Sequence, residues 1–532
     1  MSRSYVALFG CVLLIACLGT GSAAGAPTGA SIVEIYPNTH HPDNAGEYVV
    51  VAFPAESDLA AFSLADGETS TPLGTETVSG TVAFSRTPET TREMVEYPVY
   101  ELPERFEMAQ SGETIRLRRN SEPVDEATYE RAPDGERWIL ADDGWEWRPR
   151  GATEFDARDL PAERATAFSL PDSPETPIET LRDADERLYL AGYSFHSERA
   201  LESLIAAHER GVEVRVLVDG TPVGGQSKAE AAALDRLSAA GVEVRVFEGS
   251  ARRYRYHHPK YAVVDDRALV MTENWKPAGT GGESSRGWGV VVEGEAVATE
   301  LAAVFEADAG WEDTAPWDRS LAGTLVEADP PDGEFADRFE PTTAEVESVR
   351  VVTAPDNAEV ETLSLLSEAE ESIRIQQPTI ARDHAFLEAA VDAAKRGVEV
   401  RILLDSSWYV EEENRELVRW LEDQAEAGGL PIEARLVDSE RFEKLHAKGV
   451  VVDDHTAMVG SLNWNANSVE NNREVALIVE SEAIAGHFAT VFETDWEDGG
   501  GGRPSLPVGL GLGVAAATGG AVLVGSRVLR FD

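Results

Sequence analysis

His258-Pro259-Lys260-Tyr261-Ala262-Val263-Val264-Asp265 and His446-Ala447-Lys448-Gly449-Val450-Val451-Val452-Asp453 are two copies of one pattern, HxKx4D. The surrounding sequence repeats as well. Arg210-Gly211-Val212-Glu213-Val214-Arg215-Val216-Leu217-Val218-Asp219 returns as Arg396-Gly397-Val398-Glu399-Val400-Arg401-Ile402-Leu403-Leu404-Asp405. Downstream, Val304-Phe305-Glu306 with Asp308 and Trp311 returns as Val491-Phe492-Glu493 with Asp495 and Trp496. Repetition in the same order predicts two homologous halves, over residues 165–325 and 345–499. In each, an amphipathic helix ends at Gly and feeds a β-branched strand, so the expected fold class is α/β, a mixed sheet flanked by helices in each half. Asp329-Pro330-Pro331-Asp332-Gly333 is the natural linker.

The second copy continues as Gly460-Ser461-Leu462-Asn463 and is followed by Glu474; the first continues as Thr272-Glu273-Asn274, without the Gly-Ser pair. On these motifs the region from about Ala165 to Gly499 resembles the phospholipase D superfamily. The resemblance implies one pseudo-twofold catalytic unit built from both halves, and a metal-independent phosphodiesterase that needs no cofactor and no metal. It implies His258, Lys260, Asp265, His446, Lys448, Asp453 and Glu474 as the catalytic set, with Asn274, Ser461 and Asn463 binding substrate. In relatives with this spacing the Glu beyond the Gly-Ser-x-Asn segment orients the nucleophilic His. Glu474 falls at that place relative to His446, and Ser284 to Gly287 of the first half has no acid at the matching place. His446 is therefore expected to attack and His258 to serve as acid, with Asp265 and Asp453 mainly structural.

The chemistry of the residues agrees. Side chains on a strand alternate, so His and Lys two apart share a face, and pairing the halves presents two imidazoles and two ammonium groups. Phosphodiester cleavage requires a nucleophile, a proton for the departing alkoxide and fixed positive charge for the non-bridging oxygens. Imidazole, with an ordinary pKa of about 6.5, suits the first two tasks. Two of the chain's six lysines stand at the motif positions. Arg252, Arg253, Arg255 and His257 beside the first motif form a basic cluster that would steer a polyanion or an anionic lipid, or else is ordinary loop charge. His40-His41 with Asp43 reads as a solvated turn, not a metal site.

At 532 residues the chain needs about three domains. Its 96 acidic against 46 basic residues give a formal charge of -50. The acids are spread through periodic apolar segments, which points to a folded protein in concentrated salt; near 1 M the Debye length is about 3 Å and self-repulsion is screened. Residues 1–26 have the three-part layout of a secretory signal peptide, with a lipobox-like Leu14-Ile15-Ala16-Cys17 as an alternative to ordinary cleavage. Both cysteines, Cys11 and Cys17, lie there, which excludes cysteine catalysis in the mature domains. Residues 505–526 contain an uncharged stretch, Leu506 to Val524, followed by Arg527 and Arg530, as a C-terminal transmembrane anchor would. The chain is thus expected to be exported and held at the cell surface, with its catalytic domains outside.

Over residues 28–150, short alternating runs at Ile32–Tyr36, Tyr48–Phe53, Val82–Ser85, Thr114–Arg118 and Trp138–Ala141 predict an all-β sandwich. Ile32-Val33-Glu34-Ile35, Glu47-Tyr48-Val49-Val50, Gly112 to Leu117, and Val124-Asp125 with Tyr129 resemble lamin-tail domains, which implies an immunoglobulin-like accessory module. Three functions follow from these readings: a phosphodiesterase acting on phospholipids in a membrane, an extracellular nuclease of the same superfamily, and a non-catalytic surface binding protein. None calls for an obligatory protein partner.

Overall fold

The alternation over residues 31–149 folds into a six-stranded and a four-stranded sheet packed face to face. Ser31–Tyr36, Tyr48–Asp58, Thr77–Ser85 and Glu136–Ala141 belong to the first sheet and Glu113–Arg119 to the second. Ile32, Val49, Val51 and Phe84 from one sheet and Leu64, Ile115, Leu117 and Ala127 from the other close one core, as alternating strands with one apolar face require. Trp138, Trp145 and Trp147 stack along its edge. The computed structural model describes residues 29–498, except 68, 104, 142–143, 154, 250–251, 329–332, 334, 336–337 and 438–441. The signal-peptide and anchor segments lie outside the described residues. Among the described residues no helix is long and apolar enough to cross a membrane.

The two halves have the same strand order. In the first it runs Glu243–Phe247, Glu213–Asp219, Arg187–Gly192, Tyr261–Val264, Arg267–Met271, Ser285–Glu293, Arg164–Leu170. In the second it runs Ile432–Leu436, Glu399–Leu404, Ser372–Gln377, Gly449–Val452, Thr456–Gly460, Glu474–Glu480, Ser348–Ala354. The first three strands of each series are parallel and the rest antiparallel, so both sheets are mixed. The repeated Arg-Gly-Val is the helix-to-strand junction: Gly211 (φ 95) and Gly397 (φ 101) take the left-handed conformation that ends the helix and turns the chain into its parallel strand.

Helices Glu295–Ala309 and Glu482–Asp498 lie between the sheets, and one core joins the halves there, with Trp288 stacked on Phe488 at 4.6 Å. Two buried ion-pair networks cross this junction. Arg473 of the second half holds Asp308 of the first (2.8 Å) together with Asp356, while Arg286 of the first half holds Asp495 of the second (2.9 Å) together with Asp172. The edges are exchanged too. Asp159–Leu160, which precedes the first half, pairs with Ser348–Ala354 of the second; Thr342–Glu345, which precedes the second, pairs with Arg164–Leu170 of the first.

Candidate active site

His258 and His446 stand just ahead of the strands Tyr261–Val264 and Gly449–Val452, and each is held by the opposite half. The backbone N–H of His258 donates to Arg473 O (3.0 Å) and that of His446 to Arg286 O (2.9 Å). The side chains cross in the same way. His258 Nδ1 lies 2.8 Å from Glu474 Oε2, and His446 Nδ1 lies 3.1 Å from Glu273 Oε2. A carboxylate can only accept, so Nδ1 of each ring carries a proton and Nε2 is left as the atom that can attack phosphorus or exchange a proton with substrate. His258 Nε2 is buried without a hydrogen-bond partner among the described residues. Lys260 Nζ donates to His258 O (2.6 Å) and Lys448 Nζ to His446 O (2.9 Å), which fixes each ammonium beside its own imidazole. One residue upstream, Asp219 at the end of its strand and Asp405 just past the equivalent one accept from the backbone N–H of His257 (2.7 Å) and Leu445 (2.9 Å).

The two histidines differ electrostatically. Burial pushes His446 well below its ordinary value, helped by Lys448, Lys444, Lys260 and Lys276, so four of the six lysines converge on this side. Burial also lowers His258, but the charge of Glu474 opposes it. Burial works against the Glu474 charge in turn, yet His258 and Lys260 outweigh it and the carboxyl titrates below its usual range. Glu474 Oε1 also accepts from Ser468 Oγ (2.6 Å) and Asn472 Nδ2 (3.0 Å). Burial holds Glu273 above the usual range. Lys448, buried and facing Lys260, is lowered to about 7. A narrow polar cleft opens at His258, lined by Tyr193, Tyr256, Asn463, Asn465, Asn467 and Asn472.

The family model described as "Cardiolipin synthase, PLD-like domain" matches residues 178–309 and 362–496, one stretch in each half. The chain belongs to the phospholipase D-like family. Cardiolipin synthase B of Salmonella typhi is 28% identical over 326 residues, 58% of this chain and 74% of the relative. Cardiolipin synthase of Clostridium perfringens strain 13 is 24% identical, over 60% of this chain and 67% of the relative. Among solved structures, phosphatidylserine synthase of Haemophilus influenzae aligns with a TM-score of 0.48 at 16% identity, covering 64% of this chain and 87% of that one.

In this phospholipase D-like chain His258 and Asn463 line the cleft, and Lys260, His446 and Lys448 are buried near enough to feel one another's charge, while other motif residues stand elsewhere. Asp265 (φ 55) and Asp453 (φ 52) occupy the turns at the far ends of their strands. Asp265 accepts from the backbone N–H groups of Asp185, Glu186 and Arg187, and Asp453 from those of Glu370, Glu371 and Ser372. They brace neighbouring strands and belong outside the catalytic set. Ser461 Oγ accepts from Val475 N (3.1 Å) and also bonds the Glu474 carboxylate, so it supports the acid and is not in the cleft lining. Asn274 is buried, and its Oδ1 has no hydrogen-bond partner among the described residues. Glu474 orients His258 and not His446, because the histidines are exchanged between halves. The first half does supply an acid, Glu273, missed because it lies inside Thr272-Glu273-Asn274 and not at the expected place. The basic cluster is engaged in the fold: Arg253 is buried on Asp313 (3.0 Å), Arg255 meets Asp134 (3.4 Å), and Arg252 donates to Thr221 Oγ1 (2.7 Å).

Proposed function

We propose that the chain is an extracytoplasmic phosphodiesterase that cleaves a phospholipid headgroup ester and passes the phosphatidyl group to water or an alcohol through a phosphohistidine. The observation that carries the chemistry is the pair of imidazoles, each with Nδ1 on a carboxylate from the other half and each beside a buried lysine. His446, the more strongly depressed of the two, stays neutral and attacks phosphorus through Nε2. The P–O bond to the headgroup breaks, and His258, kept protonatable by Glu474, gives the departing oxygen its proton. His258 then takes a proton from the acceptor, whose oxygen attacks phosphorus and releases His446. Lys260 and Lys448 neutralise the non-bridging oxygens.

A phospholipid substrate is supported by the cardiolipin synthase relatives and by the surface next to His446. Trp408 is 82% exposed and Tyr409 49%, on the loop that follows Glu399–Leu404. The loop begins at Asp405, which holds Leu445, and Tyr409 feels the charge of Lys444. Aromatic residues so placed suit the water–lipid boundary. Trp408→Ser/Tyr409→Ser is expected to weaken binding to phospholipid vesicles at least about tenfold, with little change on a soluble phosphodiester. Export, a C-terminal anchor, a lamin-tail role for the sandwich and work in concentrated salt belong to the same reading; residues 1–26 and 505–526, the strand motifs of residues 32–129 and the charge of -50 support them.

The decisive experiment incubates the full chain in molar salt and chelator with phospholipid vesicles and, in parallel, single- and double-stranded DNA, with His446→Asn as control. Headgroup release or exchange that the variant lacks is the expected result. DNA nicking that the variant lacks would establish a nuclease, and silence of the folded protein on every substrate a binding protein. Activity should follow a bell in pH. The acidic limb, where His446 gains a proton, falls below pH 6.5; the alkaline limb begins where His258, also lowered by burial, loses the proton it must give, and the Lys448 charge is lost near pH 7. Lys448→Arg, which stays charged, should remove only the part of the alkaline fall in kcat/KM that lies near pH 7, leaving the His258 limb in place.

A further inference from the structure

The carboxylate serving His446 does not stand where the repeat would put it. Leu170 pairs with Gly287 in the first half as Ala354 pairs with Glu474 in the second, and Met271 pairs with Gly289 as Gly460 pairs with Ala476. Gly287 is therefore the counterpart of Glu474, and Leu462 the counterpart of Glu273. Side-chain bonding supports this register: Thr272 Oγ1 accepts from Trp288 N (3.0 Å) as Ser461 Oγ accepts from Val475 N (3.1 Å). A Cβ placed on Gly287 would lie 2.2 Å from Glu273 Cγ and 2.9 Å from its Oε1. The Glu273 side chain thus occupies the space that a residue 287 side chain would need. A Glu at 287 and a Glu at 273 exclude each other.

We propose that the carboxylate orienting His446 has moved one strand over, from position 287 to position 273, and that Glu273 is the positioning residue for His446 with Gly287 as the space that admits it. The inference rests on the reading that His446 reacts with phosphorus. It gives the two halves the same chemistry from different sequence positions, and with unequal grip. Glu474 is fixed by Ser468 and Asn472 as well as His258, whereas Glu273 holds His446 through Oε2, and its Oε1 is buried with no hydrogen-bond partner among the described residues.

The test compares Glu273→Leu, which installs the second half's residue, with Glu273→Leu/Gly287→Glu, which rebuilds the second half's arrangement. No left-handed backbone is recorded at Gly287, so an L-residue fits once Glu273 is gone. Glu273→Leu should lower kcat about 100-fold with KM within about threefold, and the pair should recover to within about tenfold of the parent. Glu273→Gln keeps an acceptor but not the charge, retains the shape of the site, and should fall between. The readout independent of substrate is the 15N spectrum of the histidines at neutral pH, with the His446 signals assigned from His446→Asn. The parent and the pair should show the Nδ1–H tautomer, and Glu273→Leu a mixture. Retention of full activity by Glu273→Leu, or a His446 tautomer unchanged across the series, would overturn the proposal. If every form is inactive on phosphodiesters, the reaction reading fails, while the tautomer comparison still decides whether Glu273 orients His446.

Discussion

His258→Asn and His446→Asn are expected to diverge on an aryl phosphodiester whose phenolate departs without a proton. With such a substrate the first step needs only the nucleophile. His258→Asn should release one equivalent of phenolate in a burst and then stall, because nothing removes the proton of the attacking water. His446→Asn should give no burst, a loss of at least about 10³-fold. The stalled species should carry an acid-labile phosphoryl group on the peptide containing His446. On an alkyl phosphodiester, whose leaving group needs protonation, both variants should be inactive. A burst in His446→Asn with the label at His258 would reverse the assignment. The expectation follows from the unequal surroundings of the imidazoles: hydrogen-bond donors hold Glu474 charged beside His258, while burial, helped by four lysines, keeps His446 neutral.

Arg473→Met should destabilise the protein by about 3–5 kcal/mol, the cost of leaving buried carboxylates without their cation. Arg473 and Asp308 are 0% and 1% exposed, and Asp356, also on Arg473, is 2% exposed. Burial opposes the Asp308 charge, but Arg473 and His257 override it and keep the carboxyl well below its usual range. Denaturant melts at constant molar salt would measure the loss, and adding Asp308→Asn should restore part of it. An exposed pair such as Lys395 with Asp392 is the control, worth less than about 1 kcal/mol. Because Arg473 O also receives the His258 N–H, activity of Arg473→Met should fall at temperatures where the protein is still folded. A melt unchanged within error would show that the network is not needed to join the halves.

The strands of the sandwich and the duplication were legible because both are local: alternation with period two, and blocks of sequence returning in order. The His-Lys pairs were legible for the same reason, since two residues apart on a strand fixes a common face. The partners of the histidines were not. Glu474 lies 216 residues from His258 and Glu273 lies 173 from His446, and only the crossing of the halves brings them together. Reading each half by itself assigned Glu474 to the histidine nearer in sequence. The motif aspartates were legible in part: a mainly structural role was expected of them, but spacing shows only that Asp265 and Asp453 recur and not that they recur as turn residues with positive φ. The basic cluster depended on partners such as Asp313 and Asp134, which no local pattern announces.

The exchanged edges set a condition on how the molecule is made. Thr342–Glu345 completes the first half's sheet but lies beyond that half, and Asp159–Leu160 is synthesised early but waits for Ser348–Ala354. A nascent chain stopped before residue 342 therefore has an open sheet edge and an Asp308 that keeps His257 but lacks its arginine, so the first half is finished only as the second arrives. An ancestor carrying a single half would meet the same demand by lending its leading strand, its arginine and its acid to a twin. In that sense the two halves stand to each other as the protomers of a symmetric dimer do, each completing the other.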